Sequence, residues 1–539
     1  MNKLRKTRTA LATVFFILIT LLLLDFTGTL HTWLGWMAKI QFLPALLAIN
    51  VGVILMLAVL TLVVGRIYCS IICPLGVLQD IVSCISAKRP KKKHRFSYSA
   101  EKRWLRYGIL MLFVVAFVAG VGSIVALLAP YSAYGRMVQN IFQPFYIVGN
   151  NAMALIAERA NSYAFYSRDI WVRSLPTFFI AATTLLLIVT LAWRNGRTYC
   201  NTICPVGTLL SFLARFAWFK IRIDNDKCNK CGLCARSCKA ACINSKDHTI
   251  DASRCVVCGD CIDQCRQQAL SFTHHRKKSV NTPTTTGAVK NKDKDNNKDK
   301  DKDKDKDKDK NKNNNKDKDK DKDKDKTETV NTARRSFIVG TTIATTTAAL
   351  AQEKKKVDGG IADIIDKQAP HRDTPLTPAG SLSAQNMARH CTACQLCVAA
   401  CPNDVLRPST SLSTLMQPTM SYERGYCRPE CTRCSEACPT GAIKPITVEE
   451  KSSIQIGHAV WIKKNCIPIT DGKACGNCAR HCPTAAITMI SSNPDNPSAP
   501  MIPAINTERC IGCGACENLC PARPFSAIYV EGHEVHRHI

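Results

Sequence analysis

Cysteine spacing constrains this chain more than any other feature of its sequence. The 539 residues contain 30 cysteines, and most of them repeat in the register C-x2-C-x2-C-x3-C. Small secreted proteins with disulfide scaffolds can be as rich in cysteine, but their spacings are irregular. The repeated register is typical of loops that wrap thiolates around an iron–sulfur cluster. It therefore predicts metal–thiolate sites rather than disulfides.

Two of these runs follow each other closely in the first half of the chain. In a bacterial ferredoxin, three closely spaced cysteines bind one [4Fe–4S] cluster and the fourth cysteine of the run binds the other cluster. Lys239 and Arg266 replace the proline that usually follows the fourth cysteine, which weakens the prediction of the turn but not that of the ligands. The rule assigns one cluster to Cys228, Cys231, Cys234 and Cys265, and the other to Cys238, Cys255, Cys258 and Cys261.

Four further runs lie in the second half, and each ends in Cys-Pro. They are Cys391, Cys394, Cys397 and Cys401; Cys427, Cys431, Cys434 and Cys438; Cys466, Cys475, Cys478 and Cys482; and Cys510, Cys513, Cys516 and Cys520. Together with the first pair they predict about six [4Fe–4S] clusters. Zinc is the alternative for paired CxxC motifs, but it does not normally use a third closely spaced cysteine followed by a trailing Cys-Pro.

Apolar segments predict a membrane domain of four helices, since a helix needs about 20 apolar residues to cross a bilayer. Lys and Arg are concentrated before the first segment and between the second and third, which predicts that both of these regions are cytoplasmic. The same rule explains much of the formal net charge of +30 and argues against nucleic-acid binding. The predicted spans are Thr9–Phe26, Phe42–Val64, Ile109–Ala129 and Leu175–Trp193.

A short sequence occurs twice, each time directly after an even-numbered span. The first copy runs from Gly65 to Gly76 and the second from Gly196 to Gly207. Each contains a Cys-x3-Cys-Pro element, which we call CxxxCP. Its cysteines could be ligands of a shared cofactor, redox-active thiols or structural turns; they are Cys69, Cys73, Cys200 and Cys204. The two cysteines left over, Cys84 and Cys242, are interpreted as inert.

Alternating Lys and Asp dominate the middle of the chain, where a segment without apolar residues predicts a disordered linker. Arg334 and Arg335 follow it, and a weakly apolar run continues to Ala351. This pattern predicts a twin-arginine export signal, with cleavage after Ala351 or retention as a fifth span left open. Because that route carries folded proteins, it suits a domain that must acquire clusters before export.

The fold class expected is a membrane all-α domain with four transmembrane helices, joined to α+β bacterial-ferredoxin-like domains by a disordered Lys/Asp linker. The predicted boundaries are a membrane domain at 1–219, a cytoplasmic two-cluster ferredoxin at 220–275, the linker at 276–330, the signal at 331–351 and a periplasmic four-cluster domain at 352–539. No paired histidines suited to haem b, no CxxCH motif and no nucleotide-binding motif occur in the sequence.

The first half resembles the NapH family of membrane ferredoxin-type proteins, on its four spans, two CxxxCP elements and two-cluster ferredoxin. The second half is similar to NapG, on its twin-arginine leader and four cysteine runs. The two families are normally separate polypeptides, so their union would be a fusion. By resemblance to other four-cluster subunits, we expect the first run of the second half to share clusters with the fourth, and the second with the third.

The resemblance implies a quinol dehydrogenase of the bacterial inner membrane that serves the periplasmic nitrate reductase. Its partners would be the membrane quinol pool, a periplasmic cytochrome c or molybdenum reductase subunit, and the twin-arginine translocase. Tyr131, Tyr134 and Arg136 are candidates for a quinone site or for interfacial anchors. The CxxxCP element also occurs in proteins of nitrous oxide reduction, methylamine oxidation and copper-oxidase assembly. The alternatives are therefore electron donation to another periplasmic enzyme, or maturation of a metal centre.

Overall fold

Two helices of the N-terminal half are long and apolar enough to cross a membrane, over Leu4–Leu24 and Leu175–Asn195. They belong to a computed structural model that describes residues 3–87, 96–162, 164–274, 356–357, 362–363, 365–496 and 499–539. The Lys/Asp linker and the twin-arginine segment lie outside these residues. The helices of this half are α1 (Lys3–Leu24), α2 (Thr29–Leu34), α3 (Trp36–Lys39), α4 (Phe42–Leu47), α5 (Val51–Val64), α6 (Tyr68–Ile71), α7 (Pro74–Ala87), α8 (Arg103–Val118), α9 (Gly122–Leu128), α10 (Pro130–Met137), a π-helical turn (Val138–Phe142), α11 (Gln143–Arg159), α12 (Leu175–Asn195), α13 (Thr198–Thr202) and α14 (Pro205–Ala214).

The second and third predicted spans are each divided into two shorter helices. Between α4 and α5, Ile49 has a φ of 52° and the Asn50 side chain accepts a hydrogen bond from Val53 N, 3.2 Å away. Between α8 and α9, Gly120 has a φ of 74°. A left-handed residue interrupts the helical hydrogen-bond ladder. Apolar composition predicted these segments as single helices because it does not report such turns.

Both CxxxCP elements fold as a short helix, a turn and a returning helix. The first is α6 followed by α7, and the second is α13 followed by α14. In each copy the cysteine that precedes the proline lies at the turn, so the apolar returning helix begins at that proline. The internal repeat of the sequence is therefore also a repeat of structure.

The N-terminal ferredoxin domain follows α14 and is built from two small antiparallel sheets and two short helices. Strand β1 (Phe219–Ile223) pairs with β4 (Leu270–His274), with Phe219 opposite His274. Between them lie β2 (Ile243–Asn244), β3 (Thr249–Ile250), α15 (Leu233–Ser237) and α16 (Asp260–Gln264). Each helix follows a cysteine loop, as expected for the α+β ferredoxin class predicted from the sequence.

The C-terminal ferredoxin domain has the same character but more elements. Its longest sheet pairs β9 with β12, so that Ile528 lies opposite Trp461. The elements of this half are β5 (Lys356–Val357), β6 (Ala362–Asp363), α17 (Ala384–His390), α18 (Leu396–Ala400), β7 (Leu406–Pro408), β8 (Pro418–Met420), α19 (Arg433–Ala437), α20 (Val448–Ser453), β9 (Ile454–Trp461), a 3-10 turn (Lys463–Asn465), α21 (Ile467–Thr470), α22 (Asn477–Arg480), β10 (Ile487–Ser491), β11 (Met501–Ile505), α23 (Ala515–Asn518) and β12 (Ile528–His538).

The two ferredoxin domains contact opposite ends of α1. Near its start, Arg5 pairs with Asp260 of the N-terminal ferredoxin at 3.0 Å. Just beyond its end, Thr27 O accepts a hydrogen bond of 2.9 Å from Arg433 of the C-terminal ferredoxin. The 22 residues of α1 extend over roughly 33 Å. The helical domain therefore lies between the two ferredoxin domains.

Candidate functional site

Two cavities in the N-terminal ferredoxin are each lined by four predicted ligands. Cys228, Cys231, Cys234 and Cys265 line the first, and Cys238, Cys255, Cys258 and Cys261 line the second. The apolar side chains around them include Leu233 and Leu270 at the first cavity and Ile221 and Ile243 at the second. Thiolates around an enclosed apolar space are the donor set that a [4Fe–4S] cluster requires.

Backbone amides also point at the sulfur atoms. Ala269 N donates to Cys265 Sγ at 3.3 Å, and equivalent bonds of 3.2–3.4 Å reach Cys391, Cys438, Cys482 and Cys520 in the C-terminal domain. Donors of this kind stabilise negative charge on a thiolate and on the cluster it binds. The residues present therefore fit [4Fe–4S] clusters.

In the C-terminal domain the first two runs exchange their fourth cysteines. A cavity is lined by Cys401 of the first run together with Cys427, Cys431 and Cys434 of the second. Conversely, Cys438 of the second run lies in electrostatic reach of the three leading cysteines of the first. The expected sharing of the first run with the fourth, and of the second with the third, is therefore wrong.

The third and fourth runs are paired in the same way. Cys520 of the fourth run lies close enough to Cys466 and Cys478 of the third to interact with them electrostatically. Cys482 of the third run interacts in the same way with the three leading cysteines of the fourth. The reason is local, because the helix that ends one run packs against the helix of the next: α18 against α19, and α22 against α23. Each two-cluster unit thus uses consecutive runs, as in the N-terminal ferredoxin.

Among the described residues, no three His, Cys, Asp or Glu side chains approach closely enough to share a single metal ion. The irons and sulfides of a cubane hold its thiolate ligands further apart than one ion does.

The four CxxxCP cysteines come together in the helical domain, and each is at most 4% exposed. Arginines connect the two copies reciprocally. Arg66 of the first copy donates to Cys200 O at 3.0 Å, and Arg197 of the second donates to Cys69 O at 2.7 Å. A Cβ at Gly76 would overlap Cys69 O, and one at Gly207 would overlap Cys200 O, so close backbone approach explains the glycine in each copy.

Two family models match this chain. A model described as a 4Fe-4S binding domain matches residues 46–93 and 175–224, which contain the CxxxCP elements. A model described as a 4Fe-4S dicluster domain matches residues 390–444 and 473–523. The first of these ranges contains the first two cysteine runs, and the second contains the fourth run and the third run without Cys466, in agreement with the pairing above.

Curated relatives decide the family. The methylamine utilization ferredoxin-type protein MauM of Methylophilus methylotrophus is 30% identical over 163 residues, which are 29% of this chain and 71% of the relative. This chain belongs to that family of ferredoxin-type proteins. The ferredoxin-type protein NapG of Escherichia coli is 31% identical over 153 residues, covering 27% of this chain and 65% of NapG. NapF of the same organism is 26% identical over 179 residues, which are 33% of this chain and 99% of NapF. No solved structure matches the chain.

The prediction of a ferredoxin-type, iron–sulfur electron-transfer protein is thereby confirmed, and the union with a NapH-like part stays a prediction. Within this ferredoxin-type protein, sequence reasoning missed Cys242. Its Sγ lies 3.5 Å from Cys238 Sγ, and the hydrogen bond between them lowers the pKa of the Cys238 thiol to about 7. Spacing gave no signal of this contact, because Cys242 stands outside the register. Cys84, by contrast, is exposed, with Lys239 Nζ 3.7 Å from its sulfur.

Tyr131, Tyr134 and Arg136, which were candidates for a quinone site or for interfacial anchors, are buried in the protein. All three are at most 2% exposed, in α10, against which the C-terminal ferredoxin packs. Tyr134 OH lies 2.6 Å from Thr20 Oγ1, and Arg136 Nη1 donates to Ala126 O at 2.8 Å. A Cβ at the neighbouring Gly135 would overlap Cys394 O. Their position beside the first cysteine run could not be predicted, because it depends on how two distant parts of the chain dock.

Sequence reasoning also missed a buried ion network beneath the first CxxxCP element. Asp80 in α7 receives hydrogen bonds from Arg8 at 2.6 Å and from Arg197 at 2.7 and 2.8 Å, and Lys239 lies 4.0 Å away. Lys239 in turn pairs with Asp260 at 3.0 Å, next to Cys261. The network therefore connects α1, both repeat copies and the N-terminal ferredoxin.

Proposed function

We propose that this protein takes electrons from membrane quinol and passes them, through about six [4Fe–4S] clusters, to a periplasmic reductase. The cysteines that would hold these clusters are the 24 of the six runs given above, and each cluster would accept and donate one electron at a time. Quinol oxidation releases two electrons and two protons, so a one-electron carrier suits its stepwise reaction.

One observation carries this proposal. A single packed cluster of buried side chains contains Cys258 of the N-terminal ferredoxin, Cys69, Cys73 and Cys204 of the helical domain, and Cys394 of the C-terminal ferredoxin. Cysteines from all three parts of the molecule thus share one continuous core. Such an arrangement suits a protein whose task is to connect two redox domains, and it would not be needed if they worked independently.

The proposed topology is a multi-pass protein of the bacterial inner membrane, with four spans. The N-terminal ferredoxin would be cytoplasmic and the C-terminal ferredoxin periplasmic. Contacts at opposite ends of α1 support this, since roughly 33 Å of helix matches a hydrocarbon core of about 30 Å. Exposed Trp33 and Trp36 near the end of α1 that contacts the C-terminal ferredoxin suit an interfacial position.

The C-terminal half would reach the periplasm through the twin-arginine translocase, folded and with its clusters in place. The Lys/Asp tract would supply the length that this movement requires. Whether the chain is cut after Ala351 decides if the C-terminal domain stays covalently attached. The contacts of that domain with the helical domain would keep it in place in either case.

The terminal acceptor proposed first is the nitrate reductase system, through a cytochrome c or molybdenum reductase subunit. Similarity to NapG and NapF supports this choice. Similarity to MauM, whose name states methylamine utilization, supports an alternative in which the same relay serves a methylamine system. Purified protein assayed with each candidate acceptor separates the two.

The test of the relay is anaerobic quinol oxidation by the full-length protein in detergent or liposomes. An electron relay should give many turnovers when a soluble electron acceptor is present. Without an acceptor, quinol should reduce the clusters. At most one turnover per cluster set would overturn the relay and favour a maturation factor. Iron and acid-labile sulfide are measured on the same samples. Six [4Fe–4S] clusters correspond to about 24 atoms of each per chain.

A further inference from the structure

We propose that Cys69, Cys73, Cys200 and Cys204 jointly hold one more iron–sulfur centre, inside the helical domain and between the two ferredoxin domains. The family match assigns 4Fe-4S binding to two separate segments, each of which supplies only two CxxxCP cysteines. Neither segment alone has the four thiolates that a cluster takes. The repeat of structure brings two incomplete halves together into one complete set.

The four thiols are free and lie near one another. Cys73 lies in electrostatic reach of Cys69 and Cys200, and Cys204 in reach of the other three. Each is almost completely buried, so water does not solvate them. Four buried thiols without a disulfide, at the turns of two similar helix pairs, are a soft donor set that suits the wider spacing of an iron–sulfur core better than a single ion.

Hydrogen-bond donors are directed at the sulfurs rather than away from them. Gln79 Nε2 lies 3.1 Å from Cys200 Sγ, Gly207 N lies 3.3 Å from Cys204 Sγ, and Arg66 Nη2 lies 3.9 Å from Cys69 Sγ. Donors to sulfur are the usual environment of thiolates that bind metal. The bond from Gly207 also caps α14, but the bond from Gln79 joins the first helix pair to a sulfur of the second. A purely structural thiol needs no such donor, because it acts as a small apolar side chain.

Charge provides an independent argument. Arg66 is fully buried, and none of its hydrogen bonds within the described chain goes to an Asp or Glu. Within the described chain its guanidinium donates to Asn201 Oδ1, Ser253 O, Cys200 O and the Cys69 sulfur, and its charge also acts on Cys255 of the second N-terminal site. Burial of an unpaired cation is costly. Four thiolates around an iron–sulfur core have a net negative charge, which would compensate Arg66.

Position favours iron–sulfur chemistry over zinc, which thiolates also bind. Cys258 of the second N-terminal site packs in the same core as Cys69, Cys73 and Cys204. On the other side, Arg136 is in electrostatic reach of both Tyr199, next to Cys200, and Cys394 of the first C-terminal site. A redox-inert ion between two cluster sites would leave them unconnected.

The role of this centre rests on the proposed relay. One electron would enter from the site of Cys258 and one would leave toward the site of Cys394, or the reverse, with no bond made or broken and no proton transferred. Metal content does not depend on that role. The site and the relay can therefore fail separately.

The test uses full-length protein purified anaerobically, with iron, sulfide, zinc and copper measured per chain. The variant combines Cys69→Ser, Cys73→Ser, Cys200→Ser and Cys204→Ser, and Cys84→Ser is the matched control because Cys84 is exposed and outside the site. We expect the control to match the wild type and the variant to lose two to about four irons with equal sulfide. Unchanged iron, or loss of one zinc or copper instead, would overturn the proposal.

A second variant keeps the test decisive if the fourfold variant does not fold. Gln79→Leu removes the donor to Cys200 Sγ and leaves all four thiols in place. Iron content should not change, while the midpoint potential or EPR signal of one centre shifts and those of the ferredoxin clusters do not. If no signal responds, the centre is not at this site. If the fourfold variant loses iron as expected but the wild-type protein does not oxidise quinol, the proposed centre is supported and the proposed relay is overturned.

Discussion

Arg197 donates a hydrogen bond to the carbonyl oxygen of Cys69, 2.7 Å away, and so joins the second copy of the internal repeat to the first. The same guanidinium donates twice to Asp80, and Arg66 makes the reciprocal bond to Cys200 O. The two CxxxCP elements are thus held by each other's arginines. Each element therefore stabilises the position of the other.

Arg197→Gln should destabilise the helical domain. The substitution removes two hydrogen bonds from the buried Asp80, which keeps its pair with Arg8. Loss of every partner of a buried charge costs about 3–5 kcal/mol, so we expect a smaller but clear loss here. Thermal unfolding of the detergent-solubilised protein under anaerobic conditions measures the loss. Arg194→Gln is the control, because Arg194 is exposed at the end of α12, and it should leave the melting temperature unchanged. Equal melting temperatures for both variants would contradict the structural role of Arg197.

Gly135→Ala and Gly149→Ala should have opposite effects. Both glycines are helical, and alanine usually stabilises a helix by about 1 kcal/mol relative to glycine. A Cβ at Gly149 meets nothing within 4 Å, whereas one at Gly135 would overlap Cys394 O. We expect Gly149→Ala to raise the melting temperature, and Gly135→Ala to loosen the C-terminal ferredoxin from α10. Hydrogen exchange of residues 388–397 reports this loosening, and equal protection in both variants would argue against the docking contact.

Pairing of the cysteine runs can be tested by counting iron in double variants. Cys401 and Cys434 are assigned to one cluster, so Cys401→Ser with Cys434→Ser should lose no more than about four irons. Cys401→Ser with Cys516→Ser affects two clusters and should lose about eight. The reverse order of losses would restore sharing between the first and fourth runs.

His536 should make the stability of the C-terminal ferredoxin depend on pH. Its Nε2 lies 2.9 Å from Thr377 Oγ1, and burial lowers the pKa of its imidazole to about 4, assisted by the charges of His533 and His538. Between pH 6.5 and 4 the unfolded chain binds a proton that the folded domain does not bind. The free energy of unfolding should therefore fall as the pH drops through this window, by up to about 3 kcal/mol.

His536→Gln should flatten this dependence, whatever its effect on stability at neutral pH. His371→Gln is the control, since the His371 side chain is 91% exposed. Chemical denaturation of the anaerobic protein at several pH values measures the slope. A slope that remains unchanged in His536→Gln would assign the pH dependence to another group.

The sequence by itself determined the local chemistry of this protein. The register of Cys228 to Cys238 and its repeats predicted which residues gather in loops, and hydropathy predicted the long helices α1 and α12. Spacing carries this information because a cysteine loop and a helix are formed by residues near one another in the chain. The recurrence of the CxxxCP frame likewise predicted a repeated unit.

Only the tertiary structure decided how these parts are arranged. The first, second and fourth C-terminal runs differ by at most one residue in spacing, so nothing in their sequence could show that Cys401 joins the second run and Cys438 the first. The turns at Ile49 and Gly120 were hidden in uniformly apolar segments. The meeting of Cys69 with Cys200, the unpaired charge of Arg66 and the contact of Gly135 with Cys394 arise from packing between distant segments. Packing of that kind depends on shape and charge in three dimensions, which linear spacing does not record.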